Sequence, residues 1–195
     1  DEVQRTDNPK LCLIPDIYNV DLWFQKNVQS ELGIIKKSVE SVRDERQQNF
    51  MLTAFSAIVN PVSNQHSDTK YASVEKNIQT GQTVRMFTEK IDKMKKRMEE
   101  FSSLATNASC MVSKSSALSM KKISDSQIDF IVTSPPYANT YDYYLYHKHR
   151  MNWLGYDIKT PQSVEIGSRN KHHDNNLPIT SYLESLKSYF FECNR

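Results

Sequence analysis

The sequence predicts an α/β protein with a mainly helical N-terminal half, and three observations indicate this fold class. Apolar residues recur at three- and four-residue steps through most of the first hundred residues, which is typical of amphipathic helices. A short and almost entirely apolar run at 128–132 is typical of a buried strand. A further helical pattern follows from Ile179 to Phe190. The length of 195 residues suits one domain or part of a larger one.

Two helices are predicted first. The apolar positions of the first lie on one helical face, and Asp16 or Asn19 is placed to cap its start; they are Ile17, Val20, Phe24, Val28, Leu32, Ile35, Val39 and Val42. The second contains Phe50 to Val59 and is expected to end at Asn60-Pro61, because proline disfavours helix in the residue before it. Residues 63–82 are polar and are expected to form an exposed connection.

A long amphipathic helix is predicted from Val84 to Phe101, with lysine and arginine dominating its polar side. This basic side suits DNA phosphates, but interspersed Glu and Asp offset much of the charge, so a solvated helix face is the favoured interpretation.

The second half of the chain is expected to contain a sheet. Residues 109–112 form a plausible short strand, and residues 128–132 a buried one. Tyr141 to Leu154 is expected to be helical and to end at Gly155, a residue suited to a helix C-terminus. Residues 160–176 are expected to form a loop before the last helix.

Composition narrows the class of protein. The net charge is only +2, and no apolar run is long enough to span a membrane. Cysteines 12, 110 and 193 are too far apart in the sequence to indicate a structural zinc site or a disulfide framework. With no secretory signal at Asp1, a cytoplasmic protein is expected. The histidines 147, 149, 172 and 173 are expected on the surface rather than on a metal.

The string that carries chemistry is Ser134-Pro135-Pro136-Tyr137, which directly follows the predicted buried strand. Open α/β sheets bind ligands at the carboxyl ends of their strands. Two consecutive prolines fix φ and remove two N–H donors, so the loop offers stiffly held acceptors. The Ser134 hydroxyl and the Pro135 carbonyl are placed to accept the hydrogens of an exocyclic base amine as it becomes positively charged. A rigid turn or an exposed polyproline segment is the structural alternative.

These residues resemble the DNA methyltransferases that modify the N4 amine of cytosine or the N6 amine of adenine. In that family Asp, Asn or Ser precedes Pro-Pro and an aromatic residue, and the serine form is most similar to the cytosine-N4 enzymes. The resemblance extends through 138–144 and His147 to Trp153-Leu154-Gly155, and then to Ile166-Gly167-Ser168-Arg169. It implies a Rossmann-like fold dependent on S-adenosylmethionine.

By this resemblance, Ser134, Pro135 and Pro136 would position the target amine, and Tyr137 would pack on a base flipped out of the duplex. Asn139, Tyr141 and Asp142 would shape the adjoining pocket. For Asn139 a helix N-cap is an equally good interpretation, and for Asp142 a first-turn carboxylate at a helix dipole. Arg169 is placed to meet DNA phosphate.

The family holds S-adenosylmethionine with a glycine-rich loop after a first strand, because the backbone there must approach the donor closely. This chain has four glycines and no Gly-x-Gly pair, and the lone Gly81 lies in a polar link. The cofactor-binding residues are therefore unknown, and the donor site is expected largely outside the chain, in a missing segment or a second chain. Residues 1–107 would then connect the cofactor half to the catalytic part at 108–195.

The leading hypothesis is methyl transfer to the N4 amine of cytosine in DNA within a restriction-modification system, with this chain alone inactive. The N6 amine of adenine is the near alternative. A non-catalytic module that binds nucleic acid or assembles with another chain is the alternative from a different class.

Overall fold

The computed structural model describes residues 14–104, 108–174 and 176–195. The chain divides into two compact units. The first contains the described residues up to 104 together with 144–160, and the second contains 108–143 and the residues from 161 onward. Residues 144–160 thus pack with the first unit, although they follow the Ser-Pro-Pro-Tyr string in sequence. The functional division at residue 108 stays a prediction. Cys12 lies outside the described residues.

The first predicted helix is two helices, α1 (Val20–Trp23) and α2 (Lys26–Glu40). The break falls at Phe24, whose backbone is extended, yet its side chain is fully buried. The predicted face is confirmed, because Val28, Leu32, Ile35 and Val39 are buried. Of the two predicted caps, Asn19 occupies the N-cap position of α1, but it has φ 53° and its side chain makes no capping hydrogen bond.

The second predicted helix is α3 (Glu45–Val62). Asp44 caps its start by accepting a hydrogen bond from the Gln47 amide at 2.8 Å. The helix runs to Val62 and so includes Pro61 in its last turn, two residues beyond the predicted end.

The polar stretch 63–82 is not only an exposed connection. It contains an antiparallel hairpin of β1 (Gln65–Ser67) and β2 (Lys70–Ser73), with Gln65 opposite Ser73. Ser63 and Gln65 are fully buried. The side-chain Nε2 of Gln65 donates to the Ser67 and Tyr146 backbone carbonyls at 2.7 and 3.2 Å. Hydrogen bonding therefore replaces the apolar alternation by which strands are recognised in sequence.

The core of the first unit lies between α2, α3 and the start of α4 (Gln82–Leu104). Val84, Met86 and Phe87 of α4 pack against this core, whereas Met98, Phe101 and Leu104 are exposed. The Glu31 carboxylate accepts hydrogen bonds from the Gly81 and Thr83 amides at 2.5 and 3.0 Å. The predicted amphipathic helix is confirmed, and a carboxylate of its own unit occupies its N-terminus.

Tyr141–Leu154 was expected to be helical, and the structure has α5 (Tyr143–Leu154). The helix ends as predicted at Gly155, which has φ 76°. The Gly155 amide donates to the Asn152 carbonyl at 3.1 Å and the Tyr156 amide donates to the Met151 carbonyl at 2.8 Å. This paired arrangement satisfies the last carbonyls of the helix.

One prediction for α5 is wrong, because His149 is fully buried rather than on the surface. Its ring lies among aromatic rings, with centroids 4.7 Å from Trp23, 5.2 Å from Phe24 and 5.4 Å from Tyr71. Neither ring nitrogen has a hydrogen-bond partner in the described part of the chain. Burial, and secondarily the charge of Lys148, lower the pKa of His149 to about 4. His149 is therefore a neutral core residue at physiological pH.

The two strands predicted in the second half are also not observed. Residues 109–112 and 128–132 are irregular, and 14–104, 108–174 and 176–195 contain no larger sheet than the β1–β2 hairpin. Phe130 is 82% exposed and Val132 is 86% exposed. A buried strand needs strands on both sides to pair its backbone groups, and the described chain supplies none here. The α/β class is thus not reproduced in the described residues, which are mainly helical.

The rest of the second unit is α6 (Lys159–Val164), which begins at its boundary, a π-helical turn (Asn170–Asp174) and α7 (Ile179–Cys193). The loop predicted at 160–176 thus contains two short helical pieces, while the last helix is confirmed. Among the described residues of this unit, the buried side chains are the polar ones of Asp142 and Ser168, and Gly167 next to Ser168 is buried as well. No helix in the described ranges has the length and apolarity needed to cross a membrane.

Candidate functional site

The Ser134-Pro135-Pro136-Tyr137 segment is an irregular and largely exposed stretch of the second unit. Ser134 and Pro135 are exposed, and the Tyr137 side chain is 62% exposed. Within the described ranges, the Ser134 hydroxyl and the Pro135 carbonyl form no hydrogen bond. Both oxygens are therefore available to accept hydrogens from a bound molecule, as the sequence interpretation requires.

The next carbonyl along the segment is already engaged. The Tyr182 hydroxyl of α7 donates a hydrogen bond of 2.8 Å to the Pro136 carbonyl. Tyr182 is 46 residues away in sequence, so no local pattern pointed to it. This contact ties the Pro136 peptide to a regular helix while leaving the Ser134 and Pro135 oxygens open.

A second strip of backbone, at 167–169, runs beside the segment that follows Tyr137. The Asn139 amide donates to the Gly167 carbonyl at 2.8 Å, and the Arg169 amide donates to the Tyr141 carbonyl at 3.1 Å. Asn139 itself has φ 53°, a conformation that asparagine tolerates better than most residues. It lies four residues before α5 begins at Tyr143, so the helix N-cap interpretation has no support in the geometry.

Asp142 is the buried anchor of this strip. Its Oδ1 accepts a 2.6 Å hydrogen bond from the Ser168 hydroxyl and a 2.9 Å hydrogen bond from the Asn170 amide. The Arg169 Nε lies 4.0 Å from Oδ2. Because its side chain is only 6% exposed, Asp142 would act on a bound base through the residues that it holds, and not by direct contact.

Tyr137, Tyr141 and Tyr143 form a row of aromatic rings. The centroid distances are 6.2 Å between Tyr137 and Tyr141 and 5.6 Å between Tyr141 and Tyr143. Tyr137 and Tyr143 are both exposed at this surface. Exposed aromatic faces next to free acceptors suit stacking with a nucleobase, since base–aromatic stacking contributes about 1–3 kcal/mol.

Arg169 and Lys171 differ in how far they are available to an anion. The Arg169 side chain is 60% exposed. The Lys171 ammonium donates to the Ser163 and Glu165 carbonyls at 2.5 and 2.9 Å, and partial burial lowers the pKa of Lys171. The Arg169 side chain is thus accessible from solvent, while Lys171 holds the C-terminal end of α6.

The structure brings all of the predicted site residues into the second unit, and it adds three residues that hold them. The added residues are Gly167, Ser168 and Tyr182. Gly167 and Ser168 belong to the stretch 166–169 that carried the family resemblance, so a signal for them was present.

Across 14–104, 108–174 and 176–195, no cluster of His, Cys, Asp and Glu is arranged to hold a metal ion.

A Gly167→Ala substitution is expected to disturb this arrangement. Gly167 has φ 75°, and an added Cβ would lie 3.1 Å from both the Tyr137 carbonyl oxygen and the Tyr182 ring. The left-handed backbone costs a non-glycine residue about 1–2 kcal/mol, and the close contacts add to that cost. We therefore expect the free energy of unfolding, measured by urea denaturation, to fall by more than the backbone cost alone. Gly81→Ala is the matched control for the backbone cost, because Gly81 also has positive φ but has nothing within 4 Å.

The excess loss in Gly167→Ala over Gly81→Ala then measures the close contacts alone. An equal loss in both variants would show that Gly167 is required only for its own backbone conformation.

One curated protein that resembles this chain is the Type II methyltransferase M.MvaI of Kocuria varians. The two are 24% identical over 199 aligned residues, which cover 93% of this chain and 43% of the relative. The chain therefore spans less than half of that relative's length. No protein-family model matches the chain, and no solved structure matches it. The likeness to this methyltransferase extends over most of the chain.

Proposed function

We propose that this chain is the target-amine part of a DNA methyltransferase that transfers a methyl group from S-adenosylmethionine to the N4 amine of cytosine, within a restriction-modification system. The observation that carries the proposal is the open pair of acceptors, Ser134 and Pro135, on a segment whose next carbonyl is held by Tyr182. The 24% identity to a Type II methyltransferase supports the reaction class.

The chemistry follows from the acidity of the amine. The lone pair of an exocyclic amine is delocalised into the base, so the nitrogen is a poor nucleophile in the ground state. As its bond to the methyl carbon forms, positive charge develops and the N–H groups become stronger donors. The Ser134 hydroxyl and the Pro135 carbonyl would accept those hydrogens most strongly in the transition state, which is where stabilisation accelerates a reaction.

A base must leave the duplex to reach this segment, because its amine is otherwise paired and stacked. Tyr137 would stack on the extruded ring, with Tyr141 next to it in the aromatic row. Asn139, Tyr141 and the anchor Asp142 would shape the pocket edge, and Arg169 would hold a neighbouring phosphate.

Gly81 does not fit the glycine-rich loop that would hold the methyl donor. The glycine in the polar link, Gly81, precedes α4, and its amide is already bonded to the Glu31 carboxylate together with that of Thr83. The N-terminus of α4 is thus occupied by an acid of its own unit. The donor would be held by residues outside this chain, in another segment or a second polypeptide, and the chain alone would be inactive.

The test uses the whole open reading frame that encodes the chain, expressed in a host without DNA methylation of its own. Total DNA is hydrolysed to nucleosides and analysed by mass spectrometry. The proposal predicts N4-methyldeoxycytidine in the hydrolysate. Detection of N6-methyldeoxyadenosine instead would support methyl transfer to a base amine but would make adenine, not cytosine, the target base. Absence of both would favour the alternative of a non-catalytic nucleic-acid-binding or assembly module, for which the missing donor loop is the supporting observation.

A further inference from the structure

The last helix, α7, turns one face towards the segment that carries the free acceptors. The half-buried residues on this face are spaced by four, three and four positions, and they are Tyr182, Leu186, Tyr189 and Cys193. Such spacing places them in one stripe along the helix. Thr133, Tyr189 and Cys193 line a common groove.

At one end of this stripe, Tyr182 holds Pro136. Its hydroxyl donates to the Pro136 carbonyl at 2.8 Å, and its ring lies tightly against Gly167. A side chain packed on one face and hydrogen-bonded at its tip has little freedom to move. The orientation of the Pro136 peptide is therefore coupled to the position of the helix.

At the other end, Tyr189 lies beside Thr133 and Cys193, which line the same groove. The neighbouring Cys193 side chain raises the pKa of Tyr189, while that of Thr133 acts in the opposite direction. Thr133 directly precedes Ser134. Two tyrosines of one helix thus contact the two residues that flank the acceptor pair.

The distance between Tyr182 and Tyr189 along α7 matches the length of the segment from Thr133 to Pro136. Tyr182 and Tyr189 are two turns apart, which is about 10.5 Å along a helix axis. Three residue steps from Thr133 to Pro136 span about 10 Å when the chain is extended, and much less in any coiled conformation. An extended segment is therefore long enough to make both contacts at once.

We propose that Tyr182 and Tyr189 are positioning residues that fix the Ser134 and Pro135 acceptors by holding the segment extended at both ends; this inference rests on the proposed function. Pro135 and Pro136 restrict the backbone between these two contacts. Proline fixes φ at 135 and 136 and limits the conformation of the residue before each, which leaves the Thr133 and Pro136 ends as the remaining points of rotation. Those are the two points that the tyrosines contact.

The test removes one hydroxyl at a time in the whole open reading frame, with the variants Tyr182→Phe and Tyr189→Phe. Tyr156→Phe is the matched control, since Tyr156 is 63% exposed and belongs to the other unit. Single-turnover transfer from tritiated S-adenosylmethionine to unmethylated bacteriophage DNA is measured. Each variant is expected to slow transfer about five- to tenfold, the size of one hydrogen bond, with the KM for DNA unchanged.

A second measurement on the same proteins reports the geometry without catalysis. Hydrogen–deuterium exchange of the peptide 130–141 is expected to speed up in Tyr182→Phe and Tyr189→Phe and to match wild type in Tyr156→Phe. Wild-type rates together with wild-type exchange in both variants would overturn the inference. If the wild-type protein transfers no methyl group, the proposed function fails, and unchanged exchange in the variants would then refute the positioning inference separately.

Discussion

Replacement of Ser134 by alanine in the whole open reading frame is expected to slow methyl transfer by about 100- to 1000-fold, the range found when one preorganised transition-state hydrogen-bonding group is removed. The hydroxyl is exposed and makes no hydrogen bond within the described residues, so its loss leaves no buried partner unsatisfied. Folding and DNA affinity are therefore expected to stay close to those of the wild type, and the effect should fall on kcat.

The measurement is single-turnover transfer to unmethylated bacteriophage DNA, together with a binding titration of the same DNA. Ser113→Ala is the control, because Ser113 is also exposed and lies outside the acceptor segment. A Ser134→Ala protein that transfers methyl groups at the wild-type rate would remove Ser134 from the mechanism. A rate loss explained by weaker DNA binding would instead make Ser134 a binding residue.

Acid is expected to destabilise the first unit through His149. The pKa of His149 is about 4 in the folded chain, against about 6.5 for an unperturbed histidine. Between these two values the unfolded chain binds a proton that the folded chain does not. The free energy of unfolding therefore falls as the pH drops from about 6.5 to 4 and levels off below, with a loss on the order of 3 kcal/mol from this residue.

The test compares urea denaturation across this pH range for the wild type and His149→Phe. Phenylalanine keeps an aromatic ring beside Trp23 and Phe24 and has no nitrogen to protonate. We expect the variant to lose most of the pH dependence, while His66→Phe at an exposed position keeps it. Equal slopes for the wild type and His149→Phe would show that other groups, such as Asp68 and His147, set the acid response.

The parts of the fold that sequence predicts well are those in which local spacing decides the structure. The buried faces of α2 and α3 follow from apolar residues three and four apart, because a helix satisfies its own backbone. The β1–β2 hairpin was missed since buried, hydrogen-bonded Gln65 and Ser63 replace an apolar pattern. The strand at 128–132 was wrong because a strand depends on partners elsewhere in the chain, which periodicity does not reveal.

In the candidate site, too, features set by local sequence were predicted and features set by distant contacts were not. The string 134–137 was predicted with its free acceptors, because two prolines determine the local backbone. The burial of His149 and the hold of Tyr182 on Pro136 depend on contacts between residues far apart in sequence. Asp142 was expected to shape a pocket, and its hydrogen bonds to residues 168–170 give a route by which a buried residue could do so.

The exposed run at 128–132 also affects how this chain behaves in solution. It combines Phe130 with three β-branched residues, Ile128, Ile131 and Val132, and it contains one charge and no proline. Such short segments join edge to edge with copies of themselves when left in water. Preparations of the 195-residue chain alone are therefore expected to associate as concentration rises, so light scattering should precede any enzymology on it.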